Sequence, residues 1–330
     1  MNYRKVDAIK EELSIIGFGC WSVASYNWTD GNIEDAKKAI DVSIDSGVNF
    51  FDVAPVYGYG DSEKILGDVI SADGKREKIF LATKCGLRWD VKDGPTKNDL
   101  SKASILFEID ESLKRLKTDH VDLYQLHWPD HKTPLEETID ALKEIIKAGK
   151  IRYVGLSNYS LADMKNFNES LPVASYQGLY NLFDRNSEFY CGIPLEYQTE
   201  AEILPYCVQN GIAFIPYSPL NQGLLSGRYY QQRDTNLNAA DMRLTNPELV
   251  GENLNKKLIV VEKLKELAQD TGYTLTQLSL GWLMANQAVT SIIVGSRKPS
   301  YALENAQMGN IKLESAVVDS INKVFLDNYD

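Results

Sequence analysis

The chain has few cysteines, and none is spaced for a metal or a redox pair. Cys20, Cys85, Cys191 and Cys207 stand far apart, with no CxxC or CxxH among them. A chain of 330 residues does not need disulfide staples, so the four read as reduced thiols of a cytoplasmic protein. Basic patches are also missing. With a formal charge of -11 there is no Lys/Arg cluster to displace counterions, and no nucleic-acid partner is expected. No apolar run approaches a bilayer-spanning length, and Met1 to Glu12 turns from basic to acidic without the apolar stretch of a secretion signal. A soluble, unexported protein with no membrane partner is the expectation. Repeats of fixed period and low-complexity tracts are absent. A Rossmann fingerprint is absent as well: Gly17-Phe18-Gly19 begins one, but Ser22 takes the third glycine position, and Gly58-Tyr59-Gly60 fits no better.

What is present is an ordinary globular composition, 44% hydrophobic and 25% charged, able to bury a large core. Short runs rich in Val, Ile, Phe and Tyr alternate with segments of helical period. The strands predicted are Ser14 to Phe18, Val48 to Asp52, Ile79 to Thr83, Val121 to Leu126, Tyr153 to Leu156, Val173 to Gln177, Ala213 to Tyr217 and Ser291 to Val294. Eight such runs close a parallel barrel, so residues 1–330 read as one α/β domain, a (β/α)8 TIM barrel. Thr133-Pro134-Leu135-Glu136 reads as a capping box with Pro at the first helical position, Leu135, Ile139, Leu142 and Ile146 as its buried stripe, and Gly149 as its end. Ile105, Ile109, Leu113 and Leu116 mark a second stripe, and Val261, Leu264, Leu267 and Ala268 a third. Arg88 to Asp99 and Asn221 to Asn255 break the repeat and read as long binding loops. Tyr3 to Ile16 suits a hairpin over the barrel floor, and Glu314 to Leu326 an added terminal helix.

Five residues stand at or just past strand ends, which converge on one face of such a barrel: Asp52, Tyr57, Lys84, His127 and Tyr217. A tyrosine of pKa about 10 is a poor acid at neutral pH unless a cation stabilises its phenolate. Lys84 can be that cation, Asp52 its partner and neutral His127 the group that orients a carbonyl, a set suited to carbonyl reduction. A structural ion pair is the plainer reading of Asp52 and Lys84 alone. His127 and His131 resemble a metal pair, but Pro129 interrupts the helix that spacing needs, and no metal is expected. Gly295-Ser296-Arg297-Lys298 ahead of a helix is a natural phosphate site in an acidic chain. Trp21, Trp28, Trp89 and Trp128 fall in the upper loops and suit the wall of a substrate pocket.

These motifs resemble the aldo-keto reductase family, most closely its bacterial branch, over essentially the whole chain. Phe51-Asp52-Val53-Ala54-Pro55-Val56-Tyr57-Gly58 is similar to the family's catalytic loop, Thr83-Lys84 to its lysine strand and Leu126-His127-Trp128 to its histidine strand. The resemblance implies NAD(P)H bound in extended form without a Rossmann fold, and a small-molecule carbonyl or sugar substrate. It implies that Ser157, Asn158 and Gln177 hold the nicotinamide carboxamide and that Tyr217 stacks on the ring, with Cys20, Trp21 and Asp52 nearby. Ser218, Pro219, Leu220, Gln222, Gly223 and Leu225 would cover the pyrophosphate, and Gly295, Ser296, Arg297, Glu304 and Asn305 the 2′-phosphate and adenine. Tyr301 stands where many members carry Arg or Gln, and Gly295 where some carry Lys. Arg297 and Lys298 compensate in this reading, so NADPH (NADP+) is expected ahead of NADH. The alternative, from a different class, is a cofactor-binding regulatory subunit like the potassium-channel beta subunits that share this fold. A hydrolase lacks its paired carboxylates or metal ligands.

Overall fold

The computed structural model describes residues 1–24, 32–92, 94–227 and 241–329. Its framework is an eight-stranded parallel sheet of Ile16–Gly19, Phe50–Asp52, Phe80–Cys85, Val121–Leu126, Ile151–Ser157, Ser175–Leu179, Ala213–Tyr217 and Ile292–Gly295. Each strand lies beside its predecessor, the last pairs with the first, and an isolated bridge from Phe214 to Val289 joins the seventh to the eighth. Helices run between the strands, as right-handed crossovers of a parallel sheet require. The result is the expected (β/α)8 barrel.

Two layers of core follow from strand alternation. Outward-facing Phe51, Leu81, Tyr124, Val154 and Tyr176 pack on the helices. Inward-facing Phe50, Phe80, Leu123, Ala213 and Ile293 fill the barrel, and Ile9 and Leu13 enter it from below. Those two belong to the hairpin Tyr3–Val6/Ile9–Ser14 that plugs the floor. The Arg4 guanidinium pins the hairpin by donating to the carbonyls of Met284, Asn286 and Val289. Gly155 is one interior position where only glycine fits: a Cβ there would lie 2.3 Å from Ser175 Oγ.

Local departures from expectation have local causes. Ser14 belongs to the hairpin, paired with Tyr3, so the first barrel strand starts at Ile16. The helix Leu135–Lys147 forms, with Ile139 and Leu142 buried, but the capping box does not: Pro134 is the cap residue and Thr133 Oγ1 donates instead to Asp130 Oδ2 at 2.7 Å. Arg88 to Asp99 is no plain loop, since Leu87–Trp89 and Thr96–Asn98 pair as an antiparallel ribbon. The long connection after Tyr217 is shorter than Asn221 to Asn255, because the helix Gly251–Thr271 already begins at Gly251. A second small hairpin, Phe189–Tyr190/Ile193–Pro194, was not legible in the sequence. The terminal helix spans Ser315–Asn328.

Candidate active site

The strand ends open into one cleft of about 810 Å³. Asp52 closes its strand with a buried carboxylate, and Lys84, one residue before the end of the next strand, reaches it fully buried: Nζ to Oδ1 is 2.5 Å. Lys84 Nζ also donates to the Val53 carbonyl at 3.1 Å and to the Tyr57 hydroxyl at 3.2 Å. The other carboxylate oxygen of Asp52 accepts from Gln125 Nε2 and Gln177 Nε2, both at 2.9 Å. Both oxygens of this buried carboxylate thus have donors, which helps to hold an ion pair in a core. His127 follows the strand Val121–Leu126, and its ring meets that of Tyr57 edge-on at 5.8 Å.

Burial sets the protonation of the group. The Tyr57 phenol is pushed well above its ordinary value by desolvation, with Asp52 and then Cys20 adding to it. That reverses the expected direction. The charge of Lys84 is committed to Asp52, so the resting tyrosine is a protonated acid whose oxygen already accepts from an ammonium. Desolvation lowers the Lys84 pKa, and Asp52 opposes that shift. His127 is held well below its ordinary value by burial and then by Lys84, so it is neutral at pH 7. A neutral imidazole beside a phenol acid can orient a carbonyl oxygen without competing for the proton.

Around this centre the cleft is lined by Trp21, Trp128, Ser157, Asn158 and Tyr217. Asn158 adopts φ +62° and ties the wall together: it donates to the His127 carbonyl at 3.1 Å and accepts from Tyr197 and Tyr217 hydroxyls at 3.1 and 2.9 Å. Gln177 lines the cleft too, although its amide is turned to Asp52 and to Gln125 Oε1 at 3.2 Å. The far end is lined by Ser218, Pro219, Leu220, Gln222, Gly223, Gly295, Ser296, Arg297, Glu304 and Asn305. Gly223 has φ +96°, and a Cβ there would meet only Arg243 Nη1, at 3.9 Å. An open backbone on the same wall as Ser218, Ser296, Arg297, Lys298 and Arg243, the last also paired with Asp241 at 2.6 Å, is a fit for a dinucleotide's phosphates.

Not every expected residue reaches the cleft. Cys20 and Leu225 are fully buried and absent from its wall, Cys20 serving through its N–H, which donates to the Asp52 carbonyl at 2.9 Å. Trp89 stands behind Tyr59, ring to ring at 5.5 Å, and does not line the cleft itself. Trp28 lies outside the described residues. Conversely, Tyr59, Tyr190, Ile193 and Arg243 line the cleft without having been singled out as contacts, and Tyr301, noted only as a departure from the family pattern, lines it too. Tyr59 had a signal, the Gly-Tyr-Gly that failed as a nucleotide motif; Tyr190 and Ile193 had none. Among the described residues no group of three or more His, Cys, Asp or Glu side chains is gathered for a metal ion. No helix among them is long and apolar enough to cross a membrane.

Comparison with known proteins agrees with this architecture. The Aldo/keto reductase family profile matches residues 15–325. The aldo-keto reductase YhdN of Bacillus subtilis is 33% identical over 325 residues, covering 98% of this chain and 93% of the relative. The NADH-specific methylglyoxal reductase of Escherichia coli is 31% identical, covering 92% of each. Among solved structures, the glycerol dehydrogenase AKR11B4 of Gluconobacter oxydans superposes with a TM-score of 0.85 at 29% identity, covering 99% of this chain and 96% of that one. The chain therefore belongs to the aldo/keto reductase family, a barrel oxidoreductase that works on carbonyl groups with a nicotinamide cofactor.

Proposed function

We propose that Tyr57 is the general acid of this enzyme, that Lys84 and Asp52 support it, and that NADPH is preferred over NADH for reduction of a small aldehyde, ketone or sugar. The observation that carries the reading is the continuous contact from Asp52 through Lys84 Nζ to the Tyr57 hydroxyl. A nicotinamide dinucleotide held along the cleft would supply the hydride for the carbonyl carbon. Tyr57 donates its proton to the carbonyl oxygen, which completes the alcohol, and the phenolate left behind faces the Lys84 ammonium. Asp52 keeps that ammonium in place and charged. Neutral His127 orients the carbonyl, and in the oxidative direction Tyr57 takes the proton back.

The nucleotide preference rests on Arg297 and Lys298 at the far end of the cleft, where a 2′-phosphate would add charge to be met. Ser157, Asn158 and Gln177 would hold the carboxamide, Gln177 by exchanging one of its internal bonds. A cytoplasmic setting belongs to the same reading and is supported by four free cysteines.

The test is Tyr57→Phe, assayed with NADPH and NADH across an aldehyde, ketone and sugar panel. Turnover should fall by on the order of two or more decades while NADPH binding is retained. Near-normal turnover would remove Tyr57 from the role. Wild-type inactivity on the whole panel would favour the regulatory-subunit reading.

A further inference from the structure

The ribbon Leu87–Trp89/Thr96–Asn98 forms one wall of the cleft, contributing Leu87, Gly94, Pro95 and Thr96, and its two ends are held differently. Its root is tied to the barrel. Gly86 N–H donates to Glu108 Oε1 at 3.1 Å, Asp99 N–H to the Gly86 carbonyl at 3.1 Å, and Asn98 Nδ2 to the Pro129 carbonyl at 2.7 Å. Farther out, among the described residues, Arg88 lies over the Phe107 ring at 4.4 Å, and contacts also come from the loop that bears Tyr57. The Tyr59 hydroxyl donates to the Gly94 carbonyl at 3.2 Å, and its ring meets Trp89 edge-on at 5.5 Å and 81°. Lys92 Nζ also reaches Asp61 Oδ2 at 3.1 Å, but those side chains are 63% and 39% exposed, where such pairs hold little.

Tyr59 keeps this position against its own backbone preference. Its φ is +55°, between Gly58 at +61° and Gly60 at +91°. Glycine would adopt that conformation without steric cost, so the contacts of the tyrosine side chain are made at the expense of backbone strain. Tyr59 itself lines the cleft two residues from Tyr57.

We propose that Tyr59 is a positioning and specificity residue: it clamps the ribbon to the catalytic loop and so sets the width of the carbonyl end of the cleft. The proposal rests on the reading of Tyr57 as the acid, since the width matters where the carbonyl meets that hydroxyl. With the clamp closed, a small carbonyl compound is confined between the ribbon and Tyr57; with it open, bulkier compounds enter and small ones lose their alignment. Misalignment of this kind lowers turnover as well as affinity.

Tyr59→Gly is the informative change, because glycine suits the left-handed backbone and the variant is expected to fold. Hydrogen exchange at the ribbon amides of residues 87–89 and 96–98 should accelerate about tenfold or more on loss of the clamp. In steady state, kcat/KM for propanal should fall about tenfold through both kcat and KM, while that for 4-nitrobenzaldehyde falls less, shifting the ratio toward the larger aldehyde. NADPH affinity should be unchanged. Tyr59→Phe keeps the ring contact and loses only the bond to Gly94, so its shift should be smaller, roughly threefold. Unchanged exchange, or an unchanged ratio in an active variant, overturns the proposal. So does a lowered melting temperature with weakened NADPH binding, which would mark a merely structural residue. If wild-type protein turns over no aldehyde, the carbonyl-acid reading fails, and the exchange measurement still decides whether Tyr59 holds the ribbon.

Discussion

The two ends of the cleft differ in how far their charges are withdrawn from solvent. At the Tyr57 end the charges are interior: Asp52 and Lys84 are buried and matched to each other, and two glutamine amides donate to the second oxygen of Asp52. At the far end Arg297 is half-buried and Lys298 exposed, in a chain whose formal charge is -11. The first plan fixes geometry at the expense of desolvation, and its charges are already answered by protein. The second places Arg297 and Lys298 nearer solvent, where a ligand phosphate can add to their contacts and salt can screen them, while Arg243 beside them is paired with buried Asp241 at 2.6 Å. A reacting centre needs the former and a binding end can use the latter.

The hardest blow to this contrast is Lys84→Met, which strands the Asp52 carboxylate. Stability should drop by about 3–5 kcal/mol in denaturant melts, and turnover should be lost with it. Adding Asp52→Asn to that variant should restore much of the stability and none of the turnover, since the buried charge is gone but so is the support for Tyr57. Full stability in the single variant would mean that the pair is not desolvated as described.

Glu108 extends the interior plan with no directly paired cation among the described residues. It is buried, accepts from Gly86 N–H and Ser104 Oγ, and burial raises its pKa to about 7, against pulls from those two donors and from Arg88. Its folded-state pKa exceeds the unfolded value, so its contribution is fully present below the carboxylate range and is lost as pH rises through about 7. Stability should therefore decline by a few kcal/mol as pH rises from about 4.5 to about 7 and then level off, and Glu108→Gln should flatten that decline. Identical pH profiles for the two proteins would contradict the assignment.

Effects at the rim should be smaller and salt-dependent. Arg297→Ala should raise KM for NADPH about tenfold at low ionic strength, with less difference in high salt and little change for NADH. Equal effects on both nucleotides would move Arg297 away from a 2′-phosphate. Smallest of all is Lys92→Ala, which removes an ion pair of ordinary length, 3.1 Å, from the surface. Melts should change by less than about 1 kcal/mol, against the several expected at Lys84.

Much of this was open to reading along the chain. Barrel strands announce themselves by short apolar runs between helical stripes, and Asp52, Lys84, His127 and Tyr217 stand at or beside the ends of such runs, so their convergence followed from the closure of eight strands. Other features left no local trace. Gln125 sits mid-pattern in a buried strand, and nothing nearby in sequence says that its amide meets Asp52, 73 positions away. The hairpin that brings Tyr190 and Ile193 to the cleft has strands of two residues, too short to show a period. Thr133 carried a capping signature, yet Asp130 offered its hydroxyl a nearer partner.

Sequence alone thus determined the element order, the barrel and which polar residues stand at or beside its strand ends, because periodicity and strand-end position are properties of short segments. Tertiary structure alone decided which way the Tyr57 pKa moves, that Cys20 and Leu225 lie behind the wall, and that Tyr59 reaches the ribbon. Desolvation and through-space contact depend on distances between segments, and those distances exist only once the barrel has closed.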